Sequence, residues 1–183
     1  MRISEGIEVD KTAGGLFDIR YWVIDVDGTM TDGSLYYDNN GNELKKFNTR
    51  DGAGFFMAHA AGMQIIVLTG RECKATERRV EELGADYLFQ NVKNKKRFLQ
   101  EFMEKENISK EEIAYIGDDL VDLPAMRLVN FIACPKDACR EVREISDFIS
   151  EIKGGYGVVS DVVSYVLKQR GEWERAMERV YPV

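Results

Sequence analysis

The sequence predicts an α/β domain built on a doubly wound parallel sheet of Rossmann-like type, and three observations predict it. Short apolar runs recur along the chain, helix-like stretches separate them, and acidic residues gather where several of the apolar runs end. Alternation of strand and helix calls for right-handed crossovers, and therefore for parallel strands with helices on both faces. With 183 residues, 44% of them hydrophobic, the chain has the material for one full core and little more. Residues 1–20, with Gly6, Gly14 and Gly15, read as an N-terminal extension of little regular structure, and 21–183 as the domain.

The first strand is "YWVID" from Tyr21, apolar enough to be buried on both faces. Directly after it, "SLYYDNNGNELKKF" holds two strand-like runs around an Asn-Asn-Gly turn, which predicts a β-hairpin inserted at the sheet's C-terminal edge. The alternation then resumes. "DGAGFFMAHAAG" is helical to Gly62, "QIIVLT" is a strand, "KATERRVEELG" is helical to Gly84, and "YLF" is a strand. "KKRFLQEFMEKENI" is helical to Asn107, followed by the strand "IAYIG", the short helix "LPAMRLV" and the strand "FIAC". "GGYG" at Gly154 to Gly157 precedes one last helix, from about Asp161 to Val180.

Composition narrows the function. A net charge of -7 and a pI near 4.9 leave no broad basic face for nucleic acid or an anionic membrane. The longest apolar run, "MQIIVL", falls far short of the roughly 18 residues that span a bilayer, so a soluble, cytoplasmic protein is expected. Cys73, Cys134 and Cys139 have no C-x-x-C spacing and read as reduced packing residues. His59, the only histidine, has no catalytic partner nearby in sequence and reads as a packing or surface residue; Met57, Met63, Met103 and Met126 read as core fillers.

Open parallel sheets bind ligands beyond the C-terminal ends of their strands. There this chain places Asp25 and Asp27 after the first strand, Thr69 and Arg71 after the second, and Asp118, Asp119 and Asp122 after the fourth. Any one Asp could be a helix cap or turn former. As an ordered set, carboxylates from separate strands would meet at one edge, where a cation relieves their repulsion. A hard, oxygen-liganded ion is implied, and Mg2+ suits a site of few carboxylates.

At these residues the sequence resembles the haloacid dehalogenase superfamily of phosphohydrolases. The resemblance rests on "DVDGTMTDG" (Asp25 to Gly33), "LTGR" (Leu68 to Arg71), Lys95 in "KNKK" and "GDDLVD" (Gly117 to Asp122). It implies that Asp25 is the nucleophile forming an aspartyl-phosphate and Asp27 the acid and base. It implies a Mg2+ held by Asp25, the Asp27 carbonyl and Asp118, with Asp119 and Asp122 behind them, and Thr69 and Lys95 on the phosphoryl oxygens. Lys95 is singled out from Lys93, Lys96 and Arg97 by its register with the family motif alone. The chemistry is coherent: a carboxylate attacking a phosphate needs positive charge to offset repulsion.

The insertions are too short for the cap domain that many members carry. The chain is most similar to the capless subgroup of 3-deoxy-D-manno-octulosonate (KDO) 8-phosphate phosphatases, through "DGSLYYDNNGNELKKFNTRDGAG", "LTGR", Asn94 and Lys95, "AYIGDDLVD" and the Gly-Gly-x-Gly tail. That resemblance implies a sugar acid phosphate substrate, a role in lipopolysaccharide biosynthesis, and a homotetramer paired through the hairpin from Leu35 to Phe47. The apolar hairpin, an unprotected edge, makes the same point physically. Arg50 and Arg71 are candidates for gripping the sugar's carboxylate. Relatives acting on sialic or deaminated sialic acid 9-phosphates share the scaffold; Arg71 after the Thr-Gly favours the eight-carbon acid. Tyr156 departs from the subgroup's tail, where an Arg is common. A receiver-like signalling domain or a non-catalytic scaffold are the rival classes, and the paired acids Asp25 and Asp27 favour turnover over both.

Overall fold

The computed structural model describes residues 13–182. Along the chain come α1 (Ala13–Leu16), β1 (Tyr21–Ile24), β2 (Tyr36–Tyr37), β3 (Glu43–Leu44), α2 (Asp51–Ala60), β4 (Gln64–Leu68), α3 (Lys74–Leu83) and β5 (Tyr87–Phe89). Then follow α4 (Lys95–Glu106), β6 (Ile113–Ile116), α5 (Leu123–Met126), β7 (Phe131–Cys134), α6 (Arg140–Ile145), β8 (Phe148–Ile149), α7 (Val158–Gln169) and α8 (Trp173–Val180). Six strands form one parallel sheet in the order β5-β4-β1-β6-β7-β8.

Strand alternation divides the core into two layers. Trp22, Ile24, Ile65, Val67, Ala114 and Ile116 face one side, which α2, α3, α7 and α8 cover. Val23, Ile66, Leu68, Tyr115 and Ile132 face the other, covered by Leu99 and Phe102 of α4, Met126 of α5 and Val142 of α6. Because both faces are sealed, the fully buried positions of the central strands are apolar, the Tyr115 hydroxyl excepted, until their C-terminal ends. Register makes those ends level: Ile24 pairs with both Val67 and Ile116. The residues that follow β1, β4 and β6 therefore emerge side by side.

The predicted helix stops hold at Gly84 and Asn107, both in the left-handed region that ends a helix without a clash or with only a small one. The hairpin forms as expected, with Tyr36 opposite Leu44 and the Asp38 carboxylate accepting bonds from the Asn40 and Asn42 amides. Leu35, Tyr36, Tyr37 and Leu44 are exposed, but Phe47 is not part of that apolar surface, because it packs against the core. Only a helical turn at Val26–Met30, the hairpin and α2 separate β1 from β4, and only a short 3-10 turn at Lys110–Glu112 lies between α4 and β6, so the described residues contain no cap domain.

Two expectations need correction, and two short elements were not expected. The single last helix is two, α7 and α8, since Gly171 takes a φ of 66° and turns the chain so that Trp173, Ala176 and Met177 return to the core. Strand β8 and helix α6 carry too few residues to show a period in the sequence. Of the stretch expected to be irregular, residues 1–12 lie outside the described residues, while Ala13–Leu16 makes a helical turn. Leu16 and Ile19 are buried, and Arg170 donates to their carbonyl oxygens at 3.2 and 2.9 Å.

Candidate active site

Asp25 follows β1 at the level of Ile116, whose carbonyl its amide bonds at 2.9 Å. The residue is 4% exposed, in an environment that no unpaired carboxylate would occupy. The Lys95 ammonium lies 2.5 Å from Asp25 Oδ1 and 2.7 Å from Asp122 Oδ1. Asn94 caps α4 through the Arg97 amide, which points the first residue of the helix, Lys95, inward. Lys93, by contrast, is exposed and donates to the Gly70 carbonyl. Burial pulls the Lys95 ammonium toward neutrality, but the two carboxylates outweigh it and hold the proton firmly.

Asp118 completes the cluster. One oxygen each from Asp25, Asp118 and Asp122 lies within 4.8 Å of the others. Asp122 is fully committed: Oδ1 accepts from Lys95 and from Tyr115 at 2.8 Å, and Oδ2 from the Asp118 and Asp119 amides at 3.3 Å each. It orients the loop and the lysine, and has little left to offer a ligand. Asp118 accepts a bond from Thr29 at 2.9 Å. Asp119 is exposed and turns to the Leu120 amide. Burial, then the charge of Asp122, raises Asp25 to about 7 against the relief from Lys95; burial, then Asp25 and Asp122, raises Asp118 to about 8. Asp25 and Asp122 share one ammonium with Asp118 beside them, all three are oxygen donors, and this set fits the Mg2+ that the sequence implies.

Two backbone crossings build the loop under these groups. Gly28 has a φ of 97°, and a side chain there would overlap the Asp118 carboxylate. Behind the loop, Gly154 lies so close that a Cβ would overlap the Gly28 carbonyl, and the Gly155 amide donates to the Thr29 carbonyl at 2.9 Å. The Gly-Gly-x-Gly tail is thus a backstop for its own chain's Asp25–Thr31 loop. Tyr156 stands outside it, with Lys46 4.3 Å above its ring.

Asp27 has a different partner from Asp25. Its Oδ1 pairs with Lys45 of the hairpin, while Oδ2 is buried without a partner. Lys45 also meets Glu43 at 2.8 Å, and Glu43 binds Arg71 at 2.5 and 3.2 Å. Arg71 donates in turn to the Tyr37 hydroxyl at 3.1 Å. Lys45 and Glu43 were missed, although residues two apart on a strand share a face, and that period alone places them together.

Asp25, Asp27, Thr69, Arg71, Lys95 and Asp119 line one hollow of about 310 Å³, and Asp27, Arg71 and Asp118 open onto an adjoining one of about 340 Å³. Thr69 is buried, with its hydroxyl accepting from the Arg71 amide at 3.3 Å. Arg50 lines neither hollow; it is exposed at the start of α2 with its methylenes against Gly157. His59 pairs with Asp86 on the surface, away from this edge. A larger hollow of about 690 Å³ beside the end of α4, between Gln100 and Leu128, gathers none of these groups.

The chain is similar to known proteins. The family description "haloacid dehalogenase-like hydrolase" matches residues 48–130. The chain is 38% identical over 159 residues to the 3-deoxy-D-manno-octulosonate 8-phosphate phosphatase of Escherichia coli K12, covering 87% of this chain and 85% of that protein. It superposes with a TM-score of 0.88 on the same phosphatase from Moraxella catarrhalis, solved with magnesium, phosphate and KDO, at 31% identity over 92% of this chain and 97% of that one. With the Yersinia pestis enzyme the TM-score is 0.85 at 34% identity, covering 90% and 89%.

Proposed function

Because the chain belongs to the haloacid dehalogenase-like hydrolases, as a phosphatase of the KDO 8-phosphate phosphatase-like group, we propose that it hydrolyses KDO 8-phosphate through an aspartyl-phosphate on Asp25. The observation that carries this reading is Asp25 itself, a buried carboxylate paired with Lys95 at the meeting point of three strand ends.

Asp25, the Asp27 carbonyl and Asp118 would hold Mg2+, which supplies positive charge against the phosphate when bound. The chain's own residues do the rest. Lys95 and Thr69 bind the phosphoryl oxygens, and the Lys95 charge lowers the repulsion that the Asp25 carboxylate meets on approach. As the Asp25–phosphorus bond forms and the ester bond breaks, Asp27 gives a proton to the departing sugar oxygen. Asp27 then takes a proton from the water that releases phosphate. Asp122 holds Lys95 and the Asp118 amide in place throughout.

Arg71 is the cation placed to meet a sugar carboxylate at the cleft. Arg50 would contribute only where a second subunit brings it to a neighbour's cleft. The exposed hairpin residues Leu35, Tyr36, Tyr37 and Leu44 support a homotetramer assembled through the hairpin. No helix among the described residues is long and apolar enough to cross a membrane, in keeping with work on a cytoplasmic sugar acid. Sedimentation of the wild type against Leu44→Lys tests the assembly, which a monomeric wild type would exclude.

The deciding assay measures phosphate release from KDO 8-phosphate, from the sialic and deaminated sialic acid 9-phosphates and from hexose phosphates, for the wild type and Asp25→Asn. KDO 8-phosphate should give the highest kcat/KM. A nine-carbon acid in first place would move the substrate within the group, and a preference for hexose phosphates would overturn the assignment.

A further inference from the structure

The pairing of Asp27 with the hairpin goes beyond what the proposed reaction requires. Lys45 is almost wholly excluded from solvent, with its ammonium between the carboxylates of Asp27 and Glu43. The two Asp27 oxygens are therefore unequal: Oδ1 faces a fixed ammonium, while Oδ2 is buried with nothing to bond. A buried oxygen with no partner is costly unless a reactant supplies one.

Resting on the reading of Asp27 as the acid and base, we infer that Lys45 is a positioning residue. By holding Oδ1 it makes Asp27 Oδ2 the single oxygen that carries the proton. A proton on Oδ1 would face the ammonium head-on, so the protonated acid keeps it on Oδ2. In the first step the Asp25–phosphorus bond forms, the ester bond breaks and the Oδ2 proton passes to the leaving oxygen. In the second step water bonds to phosphorus, the Asp25–phosphorus bond breaks and the water's proton returns to Oδ2. Lys45 keeps its own proton in both. The hairpin thus supplies part of the proton-transfer geometry from within the same chain, through Glu43 on β3 and Lys45 just after it.

The test is Lys45→Met in the full chain with Mg2+, using p-nitrophenyl phosphate and KDO 8-phosphate in stopped flow. Nitrophenolate leaves without a proton, so the first step should survive. The expected result is a burst of about one nitrophenolate per active site followed by slow turnover. The steady rate should fall by at least about tenfold on p-nitrophenyl phosphate and about a hundredfold on the sugar acid phosphate, whose departure needs the proton. Lys45→Arg, which keeps the charge, should recover part of the loss. A steady rate close to the wild type's would overturn the inference. So would a rise in KM alone, or burst and steady phases that fall together. If Lys45→Met does not fold by circular dichroism, Lys45→Gln carries the same readouts. A wild type no faster than Asp25→Asn would overturn the phosphatase reading and this inference with it, an outcome distinct from the others.

Discussion

Lys95 Nζ lies 2.5 Å from Asp25 Oδ1, and only 3% and 4% of these two residues reach solvent. The pair is bound into a larger balance, since the same ammonium also serves Asp122. Removing it leaves two buried carboxylates facing each other with Asp118 beside them. Breaking a buried pair from one side costs about 3–5 kcal/mol, so Lys95→Met should be destabilised by that order in urea. It should also lose at least about a hundredfold in kcat, the scale of one electrostatic contact to a transition state. Denaturation and kinetics on one preparation check both effects. A stable, active Lys95→Met would show that the lysine does not bear on the phosphoryl group.

Acid clustering makes stability depend on pH and metal together. Asp25 at about 7 and Asp118 at about 8 both lie above their ordinary 3.8. A raised carboxyl in the folded state stabilises below the unfolded pKa, and that contribution is lost as pH rises through the folded value. The metal-free protein should therefore lose Tm steadily as pH rises from about 4, the ordinary carboxyl value, to about 8, the raised value of Asp118. Mg2+ competes with those protons, so its stabilisation should be larger at the upper end of the range. Asp51 adds a slope of the same sign: burial raises it to about 7 despite the Val159 amide on Oδ1, and its Oδ2 has no partner. Asp51→Asn should flatten part of the metal-free slope and leave the Mg2+ effect intact. Thermal shift across pH with and without Mg2+ reads all three.

Gly154 supports the loop that carries Asp25 and Asp27. A methyl group there would overlap the Gly28 carbonyl oxygen and crowd Thr31. Overpacking of this kind costs about 1–3 kcal/mol, and here the strain falls on the loop that carries Asp25 and Asp27. Gly154→Ala should lower kcat more than it changes KM. Equal stability and activity in the variant would mean that the tail gives way and the loop does not rely on it.

The sequence shows the positions that local rules govern. Asp25, Thr69 and Asp118 were legible because each ends or follows an apolar strand, and strand register then brings them level. Lys95 could not be separated from Lys93, Lys96 and Arg97 by local pattern, because all four suit a helix start. The fold separates them, burying Lys95 and leaving the other three exposed. The service of Gly154 to Gly28 is a contact between distant segments and leaves no local mark. Glu43 and Lys45 did leave one, a shared strand face, within a hairpin that drew attention for its apolar residues.

Arg71 is the last residue whose role the geometry alters. As a cleft residue free to grip a carboxylate, it was a candidate on residue type alone. In the fold it is held by Glu43 and by the Tyr37 hydroxyl. A substrate carboxylate therefore has to compete with Glu43 for the guanidinium. Arg71→Ala should raise KM for KDO 8-phosphate by about tenfold, the value of a charged hydrogen bond, and leave p-nitrophenyl phosphate nearly unchanged. Glu43→Gln weakens the competitor and should lower KM for the sugar acid if Arg71 reaches its carboxylate. Should both variants change the two substrates equally, Arg71 and Glu43 serve only to fasten the hairpin to the sheet edge.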